Sequence, residues 1–195
     1  MTIIVAARDK KGGVIVAADS LAAAGWEKLH NDRSKLWAAA PYVLGAAGCL
    51  RTAQVVRSFT TWPKYRPDED AADLEGFIVK SMVPAVRTAV QGAGVMKKIH
   101  EIETMETTLL VAWADNIARI HGNGAATVPT AGRDAIGSGY AEALGYLGTD
   151  GPWTVEQVCT AAHRATLTAQ GCEGPIEYMT TTDPIVRRWT TPRSE

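Results

Sequence analysis

Apolar positions along this chain change their spacing several times, and each change marks a predicted element. Thr2–Arg8 alternates weakly and is rich in β-branched residues, which predicts a strand. Asp9-Lys10-Lys11-Gly12-Gly13 supplies turn residues, and the apolar run Val14–Ala18 predicts a second strand. The two form an N-terminal hairpin that anchors Thr2 at the head of a buried strand. Ser34–Ala39 and Tyr42–Ala46 predict a second hairpin, turning at Ala40-Pro41.

The period then lengthens. Leu50, Ala53, Val56 and Phe59 stand at helical spacing, predicting a helix over Leu50–Trp62 that ends before Pro63. Asp68–Gly92 opens on an acidic turn and carries Leu74, Phe77, Ile78, Met82, Val86 and Val90, a helical stripe that Pro84 should kink. Val95–Glu106 is polar and reads as a loop or a short helical extension. Thr107–Trp113 and Ile117–His121 predict strands around Ala114-Asp115-Asn116. Ala141–Leu147 and Val155–Gln170 predict helices, the second entered through Thr154 with Gln157 three residues on, a capping box. Ile176–Thr181 and Ile185–Trp189 close the chain as strands.

Strands and helices therefore come in blocks, which points to an α+β fold instead of alternating βαβ units. Two antiparallel sheets, each covered on its outer face by a helix pair, use every block: a four-layer αββα sandwich. The 195 residues suit one domain spanning 1–195, with no internal repeat or low-complexity linker.

Charge narrows the partners. Twenty basic and 21 acidic residues give a formal net charge of −1, without the basic face that nucleic acid demands. No apolar run approaches the roughly 18 residues needed to span a bilayer, so no membrane partner is expected. The N-terminus lacks a signal-peptide pattern, and Cys49, Cys159 and Cys172 match no disulfide framework. A reducing, cytoplasmic setting is the expectation. Cys159 and His163 stand four apart on a predicted helix and could share a face, but without a second such pair ordinary packing is the simpler reading.

The candidate chemistry begins at Met1-Thr2. Removal of Met1 would put a hydroxyl nucleophile and a free amine on one residue, so that Thr2 carries its own general base. An unperturbed α-amine titrates at about 7.7–8.0, leaving a usable fraction unprotonated near neutral pH. Downstream, Ala17-Ala18-Asp19-Ser20, Arg33-Ser34-Lys35-Leu36, Gly48 and Ser138 each have an ordinary reading when taken singly. These are an Asx turn, a surface lysine, a helix-start glycine and a turn or N-cap.

Together they carry a resemblance. Gly13-Val14-Ile15-Val16-Ala17-Ala18-Asp19-Ser20, continuing to Gly25, resembles the start of proteasome β-type subunits, as does Pro41–Gly45 leading into Ala46-Ala47-Gly48. The bacterial HslV peptidase is similar over the same region and shares the Ala-Ile-Gly-Ser-Gly segment, here Ala135–Gly139. The resemblance runs from Thr2 to about Thr181 and is least specific between Phe59 and Glu106.

It implies an N-terminal nucleophile hydrolase, a threonine peptidase. Thr2 matches the nucleophile, Asp19 the buried carboxylate, Lys35 the catalytic lysine, Gly48 the oxyanion amide and Ser138 the serine beside the threonine amine. Ala22, Arg33, Ala46 and Leu50 match specificity-pocket positions. No cofactor is required, but a structural sodium or similar cation would lie at Gly174, Glu177 and Thr180. The implied partners are an unfolded polypeptide substrate, further copies in a homo-oligomeric ring and an AAA+ unfoldase. The late aspartate and serine of proteasome β subunits have no clean copy in Thr168–Pro175, where Glu173 is the nearest replacement for the aspartate. Two rival readings are hydrolysis of small amides on the same fold and an inactive ring-forming structural subunit.

Overall fold

The computed structural model describes residues 2–24, 27–29 and 34–190, with backbone alone at 22–24 and 27–29. Its first strands are β1 (Ile3–Arg8), β2 (Val14–Asp19), β3 (Ala22–Ala24), β4 (Glu27–Leu29), β5 (Leu36–Ala39) and β6 (Tyr42–Gly48). Helix α1 (Leu50–Phe59) and the helical turns α2 (Pro67–Asp70) and α3 (Leu74–Phe77) follow, leading into α4 (Val83–Gly92). Next come β7 (Lys97–Ile99), β8 (Ile102–Thr104), β9 (Thr107–Trp113), β10 (Asn116–Ile120), β11 (Ala126–Thr127) and β12 (Arg133–Gly137). Helices α5 (Tyr140–Leu147) and α6 (Val155–Thr168) precede β13 (Ile176–Thr180) and β14 (Arg187–Trp189).

Two five-stranded antiparallel sheets form, ordered β12-β1-β2-β13-β14 and β11-β10-β9-β6-β5. Strand alternation makes three apolar layers from them. Ile3, Val5 and Ala7 of β1 face α5 and α6, where they meet Leu147, Val158 and Ala162. Ile4 and Ala6 face the second sheet and pack with Val43, Leu110 and Ala112. On the far side Leu44, Leu109 and Val111 meet Met82, Val86 and Val90. Burial of both sheet faces explains why β1 and β2 read as nearly continuous apolar runs with only weak alternation. The fold is α+β, with the sheets inside and helices outside, as the block order predicts.

Several segments differ from the sequence expectation. Residues 97–104 form a β-hairpin, not a loop or helical extension; its two turn residues, His100 and Glu101, have φ of 48° and 64°. Such a turn ordinarily uses Asn or Gly, so its usual signal is missing. β12 carries no clear strand signal because Arg133 and Asp134 interrupt its apolar character. It pairs with β1 from Ile3↔Gly137 to Ala7↔Arg133. The small β3–β4 hairpin was likewise not expected.

The predicted Asp68–Gly92 helix is broken twice. Asp73 accepts the Gly76 amide at 2.8 Å and restarts the helix at Leu74. A π-helical turn at Ile78–Met82 then runs into Pro84, whose missing N–H and ring bulk a regular turn would not accommodate. α1 stops at Phe59, three residues short of the expectation, while the Thr154–Gln157 capping box forms as expected.

Candidate active site

Thr2 immediately precedes β1, an inner strand of the first sheet with β12 on one side and β2 on the other. The Ser138 amide donates to the Thr2 carbonyl at 2.8 Å, extending the β1–β12 ladder to the threonine. Gly137 makes that approach feasible: its φ is +96°, and a Cβ there would collide with the Thr2 carbonyl oxygen.

The last residue of β2 is Asp19, which is fully buried. Its Oδ1 accepts the Ile3 amide at 2.9 Å and Lys35 Nζ at 2.8 Å, while Oδ2 accepts the Glu173 amide at 3.3 Å. Burial pushes the Asp19 carboxyl up from its ordinary value, against the pull of Lys35 and these two amides. Lys35 enters from the residue before β5 and also donates to Thr2 Oγ1 at 3.0 Å. Its side chain is only 14 % exposed, so the ammonium sits between carboxylate and hydroxyl largely out of water. Residues 2, 19 and 35 thus meet from three different strand ends.

Gly48 closes the opposite wall. The Cys49 amide donates to Glu106 O at 3.0 Å, and an antiparallel ladder alternates inward and outward amides. The Gly48 N–H therefore points away from β9. Its φ is +130°, and a Cβ would strike the Glu106 carbonyl, so glycine is required by both torsion and space. Gly48 and Thr2 line one cleft of about 470 Å³, together with Ser138 and with Thr108, Arg119 and His121.

The expected pocket residues gather less well. Arg33 lies outside the described residues, and Ala22 is described only by its place in β3. Ala46 packs against the outer, helix-side cluster, so that Ala47, not Ala46, lines the Thr2 cleft. Leu50 opens α1 and is half exposed.

The cation positions are not brought together. Glu177 and Thr180 stand three apart on the extended β13, about 10 Å along the strand. Gly174 lies three residues before Glu177, against Ser20. Ligands of one such ion lie within about 2.6 Å of it, so these three positions do not fit a shared cation. Among the described residues no group of three His, Cys, Asp or Glu is placed to hold a metal. Cys159 is buried in the core, and His163 lies against Trp189, in keeping with packing.

Sequence reasoning missed several residues around the cleft. Arg119 of β10 crosses between the sheets to Asp134 of β12, donating from Nε to Oδ2 at 3.0 Å, with a second contact from Nη2 to Oδ1. Nη2 also reaches the Ala135 carbonyl at 2.8 Å. Cys172 lies 3.3 Å from Ser138 Oγ. Such pairings join residues far apart in the chain, and no local spacing announces them.

No family model matches the chain, and no curated protein matches it in sequence. Solved structures do match. Thiobacillus denitrificans BPH is similar at a TM-score of 0.70 and 15 % identity, covering 97 % of this chain and 100 % of that one. Its complex with epoxomicin matches at 0.68 and 14 %, over 96 % and 99 %. Eukaryotic HslV from Trypanosoma brucei matches at 0.65 and 18 %, over 91 % and 98 %. Anbu, an ancestral β-subunit, from Yersinia bercovieri matches at 0.68 and 16 %, over 97 % and 88 %. At such identities the likeness is one of fold. This chain has the two-sheet, helix-flanked, proteasome-like fold seen in HslV and Anbu.

Proposed function

We propose that the chain is a threonine peptidase in which Thr2, freed by removal of Met1, is the nucleophile. The observation that carries this reading is the Lys35 ammonium, held 3.0 Å from Thr2 Oγ1 and 2.8 Å from buried Asp19. A cation so placed stabilises negative charge developing on the hydroxyl oxygen and disfavours a proton on a neighbouring amine. The Thr2 amine takes the Oγ proton as Oγ bonds to the peptide carbonyl carbon. The Gly48 amide stabilises the resulting oxyanion. The amine returns its proton to the leaving nitrogen as the C–N bond breaks, leaving an ester on Thr2. Water, deprotonated by the same amine, then hydrolyses the ester and regenerates the hydroxyl.

The likeness in fold to BPH, solved with epoxomicin, and to HslV supports peptide chemistry over a purely structural role. On the same reading the chain works in a homo-oligomeric ring, fed with unfolded polypeptide by an AAA+ unfoldase. The test combines intact mass with labelling. Protein lacking Met1 should gain one epoxomicin adduct on Thr2 and cleave fluorogenic peptides, and Thr2→Ala should do neither. Retention of Met1 in active protein, or an adduct on Cys49, would sink the mechanism. Turnover of small amides with none of peptides would favour the amidohydrolase instead.

A further inference from the structure

Between α6 and β13 the chain makes a tight passage behind Thr2. Gly171 and Gly174, with φ of 71° and 88°, bracket Cys172 and Glu173. The two central residues divide their contacts. The Glu173 amide donates to Asp19 Oδ2 at 3.3 Å, and its carbonyl accepts the Leu21 amide at 3.0 Å. Cys172 turns inward, is fully buried in the helix-side core, and brings Sγ to 3.3 Å from Ser138 Oγ. One dipeptide thus fastens both groups that flank Thr2, the carboxylate through its backbone and the hydroxyl through its thiol.

We propose that Cys172 is a positioning residue for the Thr2 reaction, its S–H donating to Ser138 Oγ and leaving the Ser138 hydroxyl proton for Thr2. The inference rests on the reading of Thr2 as nucleophile. Packing alone would explain a buried small side chain there, but not its approach to the Ser138 hydroxyl beside Thr2. The Thr2 carbonyl gives the Ser138 hydroxyl an acceptor of its own, which leaves the sulfur as the donor in the 3.3 Å contact. Burial pushes the thiol up, and Asp19 adds to this against the opposing pull of the Ser138 hydrogen bond and Lys35, so the sulfur keeps its proton at neutral pH. A protonated thiol is a weak donor, so it orients Ser138 without locking it. The Ser138 hydroxyl then has its own proton to offer, with the Thr2 carbonyl 3.5 Å away and already held by the Ser138 amide.

The test uses the assembled, full-length protein. Cys172→Ala should lower kcat about tenfold or more with KM unchanged, below the roughly 10²–10⁴ that a proton-transferring group itself supplies. It should also move the pH–kcat profile, while Cys172→Ser retains both rate and profile. Cys172→Val fills the site without a donor and repeats the test if the alanine variant folds poorly. A readout independent of activity is the Raman S–H stretch assigned by difference against Cys172→Ala. It should lie at a hydrogen-bonded frequency and move toward the free-thiol value in Ser138→Ala. Wild-type kcat and pH profile in the alanine and valine variants would overturn the proposal, as would an S–H band indifferent to Ser138→Ala. If wild-type protein takes no adduct on Thr2, the peptidase reading fails first, and the positioning role falls with it whatever the band shows.

Discussion

Lys35 Nζ and Thr2 Oγ1 lie 3.0 Å apart, with the same ammonium 2.8 Å from a carboxylate that water does not reach. The lysine is held by a group that needs a cation and presented to a group that is more reactive near one. Removing it acts on both. Lys35→Ala should lower peptide hydrolysis by about 10²-fold or more, comparable to loss of a proton-transfer partner. It should also cost about 3 kcal/mol or more, because Asp19 is left uncompensated. Lys35→Arg should rescue stability in part and activity hardly at all, since a planar fork does not reproduce a point donor. Steady-state rates and denaturant midpoints separate the two effects.

On the proposed mechanism activity is lost first on acidification as the Thr2 amine gains its proton, and Asp19 sets a second step below that. Its carboxyl is raised by burial, so it gains a proton at a higher pH than an ordinary carboxylate does. Once neutral it holds Lys35 less firmly. This second fall should therefore come, on acidification, above the ordinary carboxylate range, before the exposed acids titrate. Asp19→Asn should remove that step together with most of the rate. A pH–kcat profile with its second step at the ordinary carboxylate value would contradict this.

Gly48 tolerates no side chain. Gly48→Ala forces a Cβ into the Glu106 carbonyl at a φ of +130°. The strain should cost about 1–3 kcal/mol and swing the amide away from the cleft. Thermal unfolding should register the first effect and loss of epoxomicin labelling the second.

The Arg119–Asp134 pair ties β10 to β12 across the two sheets. Arg119→Met alone should destabilise by about 3–5 kcal/mol through the orphaned carboxylate, and adding Asp134→Leu should recover most of that. Urea midpoints at unchanged slope give the comparison.

Local pattern carried the layers, and the structure shows where its reach ends. Thr2, Asp19, Lys35 and Gly48 each terminate or adjoin a strand whose apolar run is plain in the sequence, but it is the resemblance to proteasome β-type subunits that singles them out. β12 is obscure because Arg133 and Asp134 are polar for reasons that lie elsewhere, Asp134 being matched to Arg119 on the other sheet. The 97–104 hairpin turns through His100 and Glu101 at positive φ, which no propensity favours. Glu173 is placed near the site, but its backbone amide meets Asp19, and the neighbouring Cys172 supplies the side chain at Ser138. Spacing cannot distinguish those two residues, because a turn between two glycines decides which one points inward. The cation positions fail for a similar reason: three residues that would converge in a loop are spread out when two of them lie on a strand.

If removal of Met1 frees Thr2 as proposed, the placement of Thr2 at the head of β1 has a consequence for how the site matures. β1 is laddered on both sides and buried on both faces, so its amides should be among the slowest to exchange with solvent. Trimming the residue before Thr2 removes nothing from that ladder, which begins at the Thr2 carbonyl and is held by Asp19 and β12. The fold can therefore be complete before the chemistry is switched on, and an uncut precursor should show the same protected amides as the mature protein.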